Sequence, residues 1–305
     1  MSRRPRGNRN FGQALVAFAA LAVGSLGSPA AQAREDGAPA AALGAGDAVR
    51  ASATGAAGLY FNPAGMGLNH QYSFEAGYSF TKDQPGHAIG ASAVDSKTNP
   101  ALAMGMAYTF ITSEEGGGSR SGHRIRGGLA AGHAWDSVAF SVGVGIHYLN
   151  LKREFAALAD PFNKDPSFLT LDGGLILEVM RVIRLGVVGQ NLIDTKTVSE
   201  APRKLGVGIT AILGKVEISF DTDLDLQTAA NKKVTPSYFF GTQALLGGSV
   251  VTRTGFILDN ILDEKRLTVG LGYVSKVIAG DIAVAKAVDR KGAWTLSVGL
   301  RYFMP

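Results

Sequence analysis

The residue types in this 305-residue chain that do chemistry elsewhere are poorly arranged for it here. The five histidines, His70, His87, His123, His133 and His147, show no spacing of the H-E-x-x-H type that brings two imidazoles onto one metal. Cysteine is absent, which removes thiolate metal sites, thiol nucleophiles, disulfides and a lipidated N-terminal Cys together. The piece SEEGGGSRSG lacks the Lys-Ser/Thr ending of a phosphate-binding loop and reads as flexible surface loop. No segment sets two acids beside a base. The expectation is a protein that is not an enzyme, with no metal and no cofactor.

What stands out is a set of charges dispersed along alternating segments. Glu75, Asp172, Glu178, Glu217, Asp221 and Asp281 fall on one face of their segments, as do Arg124, Arg126, Arg184, Lys204, Arg253, Arg266 and Arg301. Near-balanced signs on one face favour mutual pairing, and the binding of a plug, over catalysis. A second unusual feature is GLYFNPAGMG, Gly58 to Gly67, which has too many Gly and Pro for a regular element and too many apolar residues for a solvated loop.

The elements that carry these residues are strands. In SVAFSVGVGIHYLN, Val138, Phe140, Val142, Val144, Ile146 and Tyr148 oppose Ala139, Ser141, Gly143, Gly145 and His147. Strand side chains alternate between faces, so one face is continuously apolar and the other small or polar. The same pattern sets Val216, Ile218 and Phe220 against Glu217, Ser219 and Asp221, and Trp294, Leu296, Val298, Leu300 and Tyr302 against Thr295, Ser297, Gly299 and Arg301. It predicts about fourteen strands, centred near Phe74, Gly90, Met104, Leu129, Val142, Gly174, Gly186, Val207, Ile218, Thr242, Thr254, Val269, Ile282 and Val298.

Connections alternate as well. Odd strands are followed by polar loops such as TSEEGGGSRSG, KREFAALADPFNKDP, DTKTVSEA, QTAANKKVT and DNILDEK. Even strands are followed by tight joins around Asp136, Met180–Arg181, Gly214, Gly247–Gly248 and Ser275–Lys276. Tyr72, Tyr78, Phe80, Tyr108, Tyr148, Trp294 and Tyr302 are expected at strand ends, where membrane barrels carry aromatic girdles. A soluble sandwich would put charges, rather than Gly, Ala, Ser and Thr, opposite its apolar face. The fold class is therefore all-β, a transmembrane antiparallel β-barrel of about 14 strands closed to leave no edge in hydrocarbon, with its apolar face in contact with outer-membrane lipid.

The N-terminus reads as an export signal: Arg3, Arg4, Arg6 and Arg9, then FGQALVAFAALAVGSLG, then Ala31-Gln32-Ala33. Cleavage after Ala33 lowers the formal charge from +5 to +1, so the basicity belongs to the signal and nucleic acid is not an expected partner. The expected organisation is a signal peptide over 1–33, a lumenal N-terminal segment over 34–70 and the barrel over 71–305, in the cell outer membrane.

Residues Asp47 to Leu68, DAVRASATGAAGLYFNPAGMGL, resemble the N-terminal region of FadL-like outer-membrane transporters and the related PorV-like barrels, where a small-residue run precedes Asn-Pro-Ala. The stretch LGVVGQNLIDTKTVSEAPRKLGVGITA and the strands with TGFILDN and LTVGLGYVS are similar to the same superfamily. The resemblance implies an inward-folded hatch with Asn62, Pro63 and Ala64 at its turn beside Phe61. It also implies passage of long-chain fatty acids or other hydrophobic compounds, released sideways through a gap in the barrel wall. Within Leu149 to Phe162, the residues Phe155, Leu158 and Phe162 are placed to form an apolar patch at the outer mouth, either for ligand capture or as loop packing. Three functions stay open: a hydrophobic uptake channel, a docking barrel that binds a secreted or surface protein, and a plain porin.

Overall fold

The computed structural model describes residues 37–82, 85–99, 101–115, 118–155, 165–193, 200–227, 234–290 and 292–304. The proposed signal peptide lies outside them, as do Leu158 and Phe162. Fourteen antiparallel strands close on themselves: β1 (Tyr72–Thr81), β2 (Gly86–Asp95), β3 (Ala103–Glu115), β4 (Gly118–Ala134), β5 (Val138–Phe155), β6 (Ser167–Val179), β7 (Ile183–Gln190), β8 (Lys204–Leu213), β9 (Val216–Asp225), β10 (Thr235–Leu246), β11 (Val250–Asp259), β12 (Glu264–Val274), β13 (Ile278–Ala287) and β14 (Trp294–Met304). Each pairs with its sequence neighbours, and β1 pairs with β14 from Tyr72↔Met304 to Thr81↔Thr295. All fourteen predicted centres fall inside strands.

The pleat sorts the residues as the alternation requires. Val142, Val144 and Ile146 on β5, Leu267, Val269 and Leu271 on β12, and Ile282 and Val284 on β13 are exposed on the outer surface. Between them Ser141, His147, Thr268, Ala283 and Ala285 are buried. An exposed apolar belt around a closed sheet suits hydrocarbon, because every strand backbone is paired within the protein. Among the described residues no helix is long and apolar enough to cross a membrane.

Several expectations about local structure are corrected. TSEEGGGSRSG is mostly strand: Ser113↔Arg120, Glu114↔Ser119 and Glu115↔Gly118 are paired, so β3 and β4 continue through their polar residues. Likewise KREF belongs to β5, with Lys152, Arg153 and Glu154 registered against Ser121, Arg120 and Ser119. Polar residues above the apolar belt satisfy their backbone with the neighbouring strand as readily as with water. Tyr108, expected at a strand end, consequently lies in mid-β3, its hydroxyl 2.6 Å from His123 Nδ1. The implied sideways gap is not open either. All neighbouring strands are hydrogen-bonded, and β3 is paired residue for residue with both β2 and β4, without a bulge. The shortest ladder is β6–β7, from Gly173↔Gly189 to Val179↔Ile183.

Residues 37–71 precede β1 and pack inside the sheet. They form α1 (Ala40–Gly44), α2 (Ala56–Phe61) and a 3₁₀ turn, Pro63–Gly67. A buried cluster joins Ala42, Ala45, Val49, Ala53, Leu59, Tyr60, Phe61 and Met66 to Val94, Ala103, Ala107 and Ala130 of the wall. The small-residue composition follows from the space: short helices of Ala and Gly fit where bulky side chains would strike the strands.

Candidate functional site

The site is built on the turn at Asn62. Its backbone is extended (φ −158°, ψ 107°) and stops α2, and its Oδ1 accepts from Ala64 N at 3.2 Å, which starts the 3₁₀ turn with Pro63 at the first position. Proline suits that position because it has no N–H to satisfy and a preset φ. Asn62 Nδ2 donates to Arg50 O at 2.8 Å and lies 3.4 Å from Leu175 O and 3.5 Å from Val187 O. The side chain is 0% exposed and ties the segment both to itself and to two strands.

The wall leaves room for this contact with glycines. A Cβ on Gly174 would stand 1.9 Å from Asn62 Oδ1, and one on Gly143 would stand 2.4 Å from Ala64 N and Pro63 C. Across the lumen, a Cβ on Gly241 would come within 2.1 Å of Ala45 O. Any side chain at these points would push the inner segment off the sheet. Ser141 adds a polar anchor, its hydroxyl donating to Ala64 O at 2.6 Å.

Electrostatic anchoring centres on Arg50. Its Nε and Nη2 donate to the two oxygens of Asp223, each at 2.5 Å, its Nη1 donates to Asp47 O at 2.7 Å, and its backbone N donates to Asp221 Oδ2 at 2.7 Å. Nη1 lies 3.3 Å from Asp221 Oδ2, and the guanidinium stands 4.2 Å from the centre of the Phe239 ring. This is a bidentate, charge-assisted clamp with a cation over an aromatic face. A second cluster lies below Tyr60. Arg126 stacks 4.9 Å from that ring and donates to Leu59 O at 3.3 Å, while His147 Nδ1 lies 3.2 Å from Asp172 Oδ2.

The predicted inward charges do face the lumen, and most are paired. Arg301 Nη2 meets Glu75 Oε2 at 2.8 Å, Arg253 Nη1 meets Asp281 Oδ1 at 2.6 Å, and Arg184 Nε meets Glu178 Oε2 at 2.5 Å. Arg266 pairs with Glu264, and Gln243 Nε2 donates to Glu217 Oε2 at 2.7 Å. No group of His, Cys, Asp and Glu with metal-binding geometry occurs among the described residues.

Sequence reasoning missed Arg50 and the partners Asp223, Asp225, Arg120, Arg153 and Glu200. A signal for the first was present: Arg50 is the lone charge between Ala48 and Asn69, and Asp221, Asp223 and Asp225 form a one-sided row of acids on β9. No comparable signal marks Glu200, which is held by Arg120 Nη1 at 3.1 Å and by Arg153. Beside it Ala201 packs on Ile111, Leu149, Leu151 and Phe168.

The inner segment lies between two cavities. The upper one is lined by Arg50, Phe61, Lys204, Asp223, Phe239, Ile257, Asp259, Leu262, Glu264 and Arg266. The lower one is lined by Ala41, Ala45, Ala48, Val49, Ser52 and Ala57, facing Glu217, Gln243, Arg253 and Arg301. Of the residues expected to form the site, Phe61, Asn62, Pro63 and Ala64 are brought together, buried, in the lumen. Phe155 is at the upper end of β5, some distance along the wall from them, and no patch with Leu158 and Phe162 lies within the described residues.

No protein-family model matches the sequence, and no curated protein matches it. Solved structures do. The Ralstonia pickettii toluene transporter TbuX superposes with a TM-score of 0.60 at 14% identity, over 88% of this chain and 97% of that one. The P. putida toluene transporter TodX gives 0.61 at 11% identity, over 88% and 99%. A TodX variant, the deltaS2S3 monoaromatic hydrocarbon channel, gives 0.59 at 12% identity, over 88% and 99%. At these identities the likeness is one of architecture: the chain shares the closed barrel fold of these toluene transporters.

Proposed function

We propose that this chain is a passive outer-membrane uptake channel for hydrophobic small molecules, aromatic hydrocarbons or long-chain fatty acids, with residues 34–70 as its hatch. The observation that carries this reading is the inner segment itself, seated between an upper and a lower cavity inside a fold shared with toluene transporters. A solute crossing from one cavity to the other has to displace that segment or pass beside it. Asn62, Pro63 and Ala64 form the turn on which it is seated, Phe61 faces the upper cavity, and Phe155, Leu158 and Phe162 supply an apolar patch at the mouth. The upper cavity sets Phe61, Phe239, Ile257 and Leu262 among charges, so an apolar ligand has a floor to rest on within a polar rim. The test is uptake of labelled toluene and labelled long-chain fatty acid by a deletion strain complemented with the wild-type gene or with Asn62→Ala. The reading expects lost uptake in the deletion, restoration by wild type and altered uptake with Asn62→Ala. Unimpaired uptake of both solutes in the deletion strain refutes it. A mature N-terminus at Arg34 in protein purified from membranes checks the export signal.

A docking barrel for a secreted or surface protein is the second reading, and the length of β4 and β5, 17 and 18 residues, favours it. At the outer end β5 carries exposed Lys152 and Glu154, and β3, paired with β4, carries exposed Glu114. Recovery of a stoichiometric protein partner from detergent extracts supports docking, and recovery of the barrel alone counts against it. A plain porin requires a stable open conductance in planar bilayers.

A further inference from the structure

On the outer wall, one sector of the barrel groups three outward lysines at one end, and among the described residues the opposite wall carries one there, Lys152 on β5. At the extracellular ends of β12, β13, β14 and β1, the outward positions are Lys265, Lys286, Trp294 and Lys82. Lys286 is registered with Trp294, Lys82 N donates to Trp294 O at 2.9 Å, and Val288 N donates to Lys265 O at 2.8 Å. The pleat fixes their direction: Thr81, Glu264, Ala285 and Thr295 beside them are buried toward the lumen. Lys82 and Lys286 are exposed, and Lys265 and Trp294 are half-buried. Two to four strands along the wall from β12, the outward residues at the same end are Pro236 and Tyr238 on β10, Leu224 on β9 and Leu205 on β8.

Among the described residues none of the three ammonium groups has a carboxylate in salt-bridge range. Asp289 accepts from the Lys265 backbone N at 3.1 Å rather than from its ammonium group. Immediately below is apolar surface: Phe80, packed edge-on against Trp294 at 5.4 Å, with Leu267 and Val284. A Trp at this height marks the boundary between hydrocarbon and headgroups.

We propose that Lys82, Lys265 and Lys286, grouped around Trp294, bind the phosphate groups of a phosphorylated glycolipid in the outer leaflet. The position selects a lipid, because the lysines stand directly above surface that must meet acyl chains. The spacing selects a head with more than one phosphate. Lys82 and Lys265 are three strand spacings apart, about 14 Å between backbones, wider than one phosphate spans. Ammonium-to-phosphate hydrogen bonds supply the affinity and the indole sets the depth.

The test is a titration of the full chain, purified in neutral detergent, with bisphosphorylated lipid A, its monophosphoryl form, phosphatidylglycerol and inorganic phosphate, read by native mass spectrometry. Wild type is expected to bind the bisphosphorylated lipid most tightly. K82Q, K265Q and K286Q should each weaken it about five-fold, and the triple variant about a hundred-fold. K152Q on β5 should leave it unchanged. Heat-modifiable gel migration reports whether each variant is folded, and the single variants carry the test if the triple one is not. Equal binding by wild type and the folded variants overturns the proposal. Equal affinity for phosphatidylglycerol overturns the glycolipid assignment, and competition by inorganic phosphate at matching concentration overturns the lipid site.

Discussion

Removing the positive charge from the inner segment should loosen it without unfolding the barrel. In Arg50→Met the methylene stem is largely kept, while Asp223 loses both guanidinium contacts at 2.5 Å and Asp221 keeps only the backbone N–H at 2.7 Å. Both carboxylates are buried, 0% exposed for Asp221 and 3% for Asp223. Deleting one partner of a buried ion pair costs about 3–5 kcal/mol, mostly because the remaining charge is stranded. The barrel ladders do not depend on Arg50, so the cost falls on the seating of the inner segment. Water reaching Asp221 and Asp223 relieves it only if that segment moves. The ratio of displaced to seated segment should therefore rise roughly 10²- to 10⁴-fold. Single-channel recording in planar bilayers should show frequent openings that wild type lacks, with unchanged heat-modifiable gel migration. The triple variant Arg50→Met, Asp221→Asn, Asp223→Asn removes the stranded charges and should close again. An Arg50→Met channel as quiet as wild type, or a triple variant as leaky as the single one, refutes the reasoning.

Gly174→Ala should act from the wall side. Its Cβ would overlap Asn62 Oδ1 at 1.9 Å, an overpacking worth about 1–3 kcal/mol, and protease should cut the inner segment faster than in wild type. Gly173→Ala, whose Cβ meets only Leu192 at 3.7 Å, is the matched control and should resemble wild type. Val269→Arg, on the exposed belt in mid-β12, should lower barrel stability by about 2–4 kcal/mol in denaturant titration in lipid vesicles, as a charge near the bilayer midplane does. A Val269→Arg barrel as stable as wild type would mean that this belt does not face hydrocarbon.

Much of the fold was legible because barrel strands obey a local rule. Each of the fourteen announces its faces through period two, and turns at Gly214 and Gly247–Gly248, where φ is positive, punctuate them. The lumen charges were legible for the same reason, since Glu75 and Arg301 must point inward once Phe74 and Leu300 point outward. Their partners were not, because pairing is fixed by the ring closure that brings β1 against β14. The strand extensions at Ser113–Glu115 and Lys152–Phe155 were read as loop because polarity, the usual mark of a loop, is equally the mark of a strand that has left the membrane.

The sequence by itself determined the alternation, the strand number, the sidedness of the loops and the presence of an irregular apolar segment before the first strand. These depend on neighbours along the chain. Tertiary structure alone decided that Arg50 would meet Asp221 and Asp223, some 170 residues away, and that Asn62 would rest in the space left by Gly174. It also decided that the segment would lie between two cavities. Those contacts cross the lumen, and a distance across a closed sheet of given strand number is set by how the ring closes and by the stagger and tilt of its strands, which no local pattern encodes.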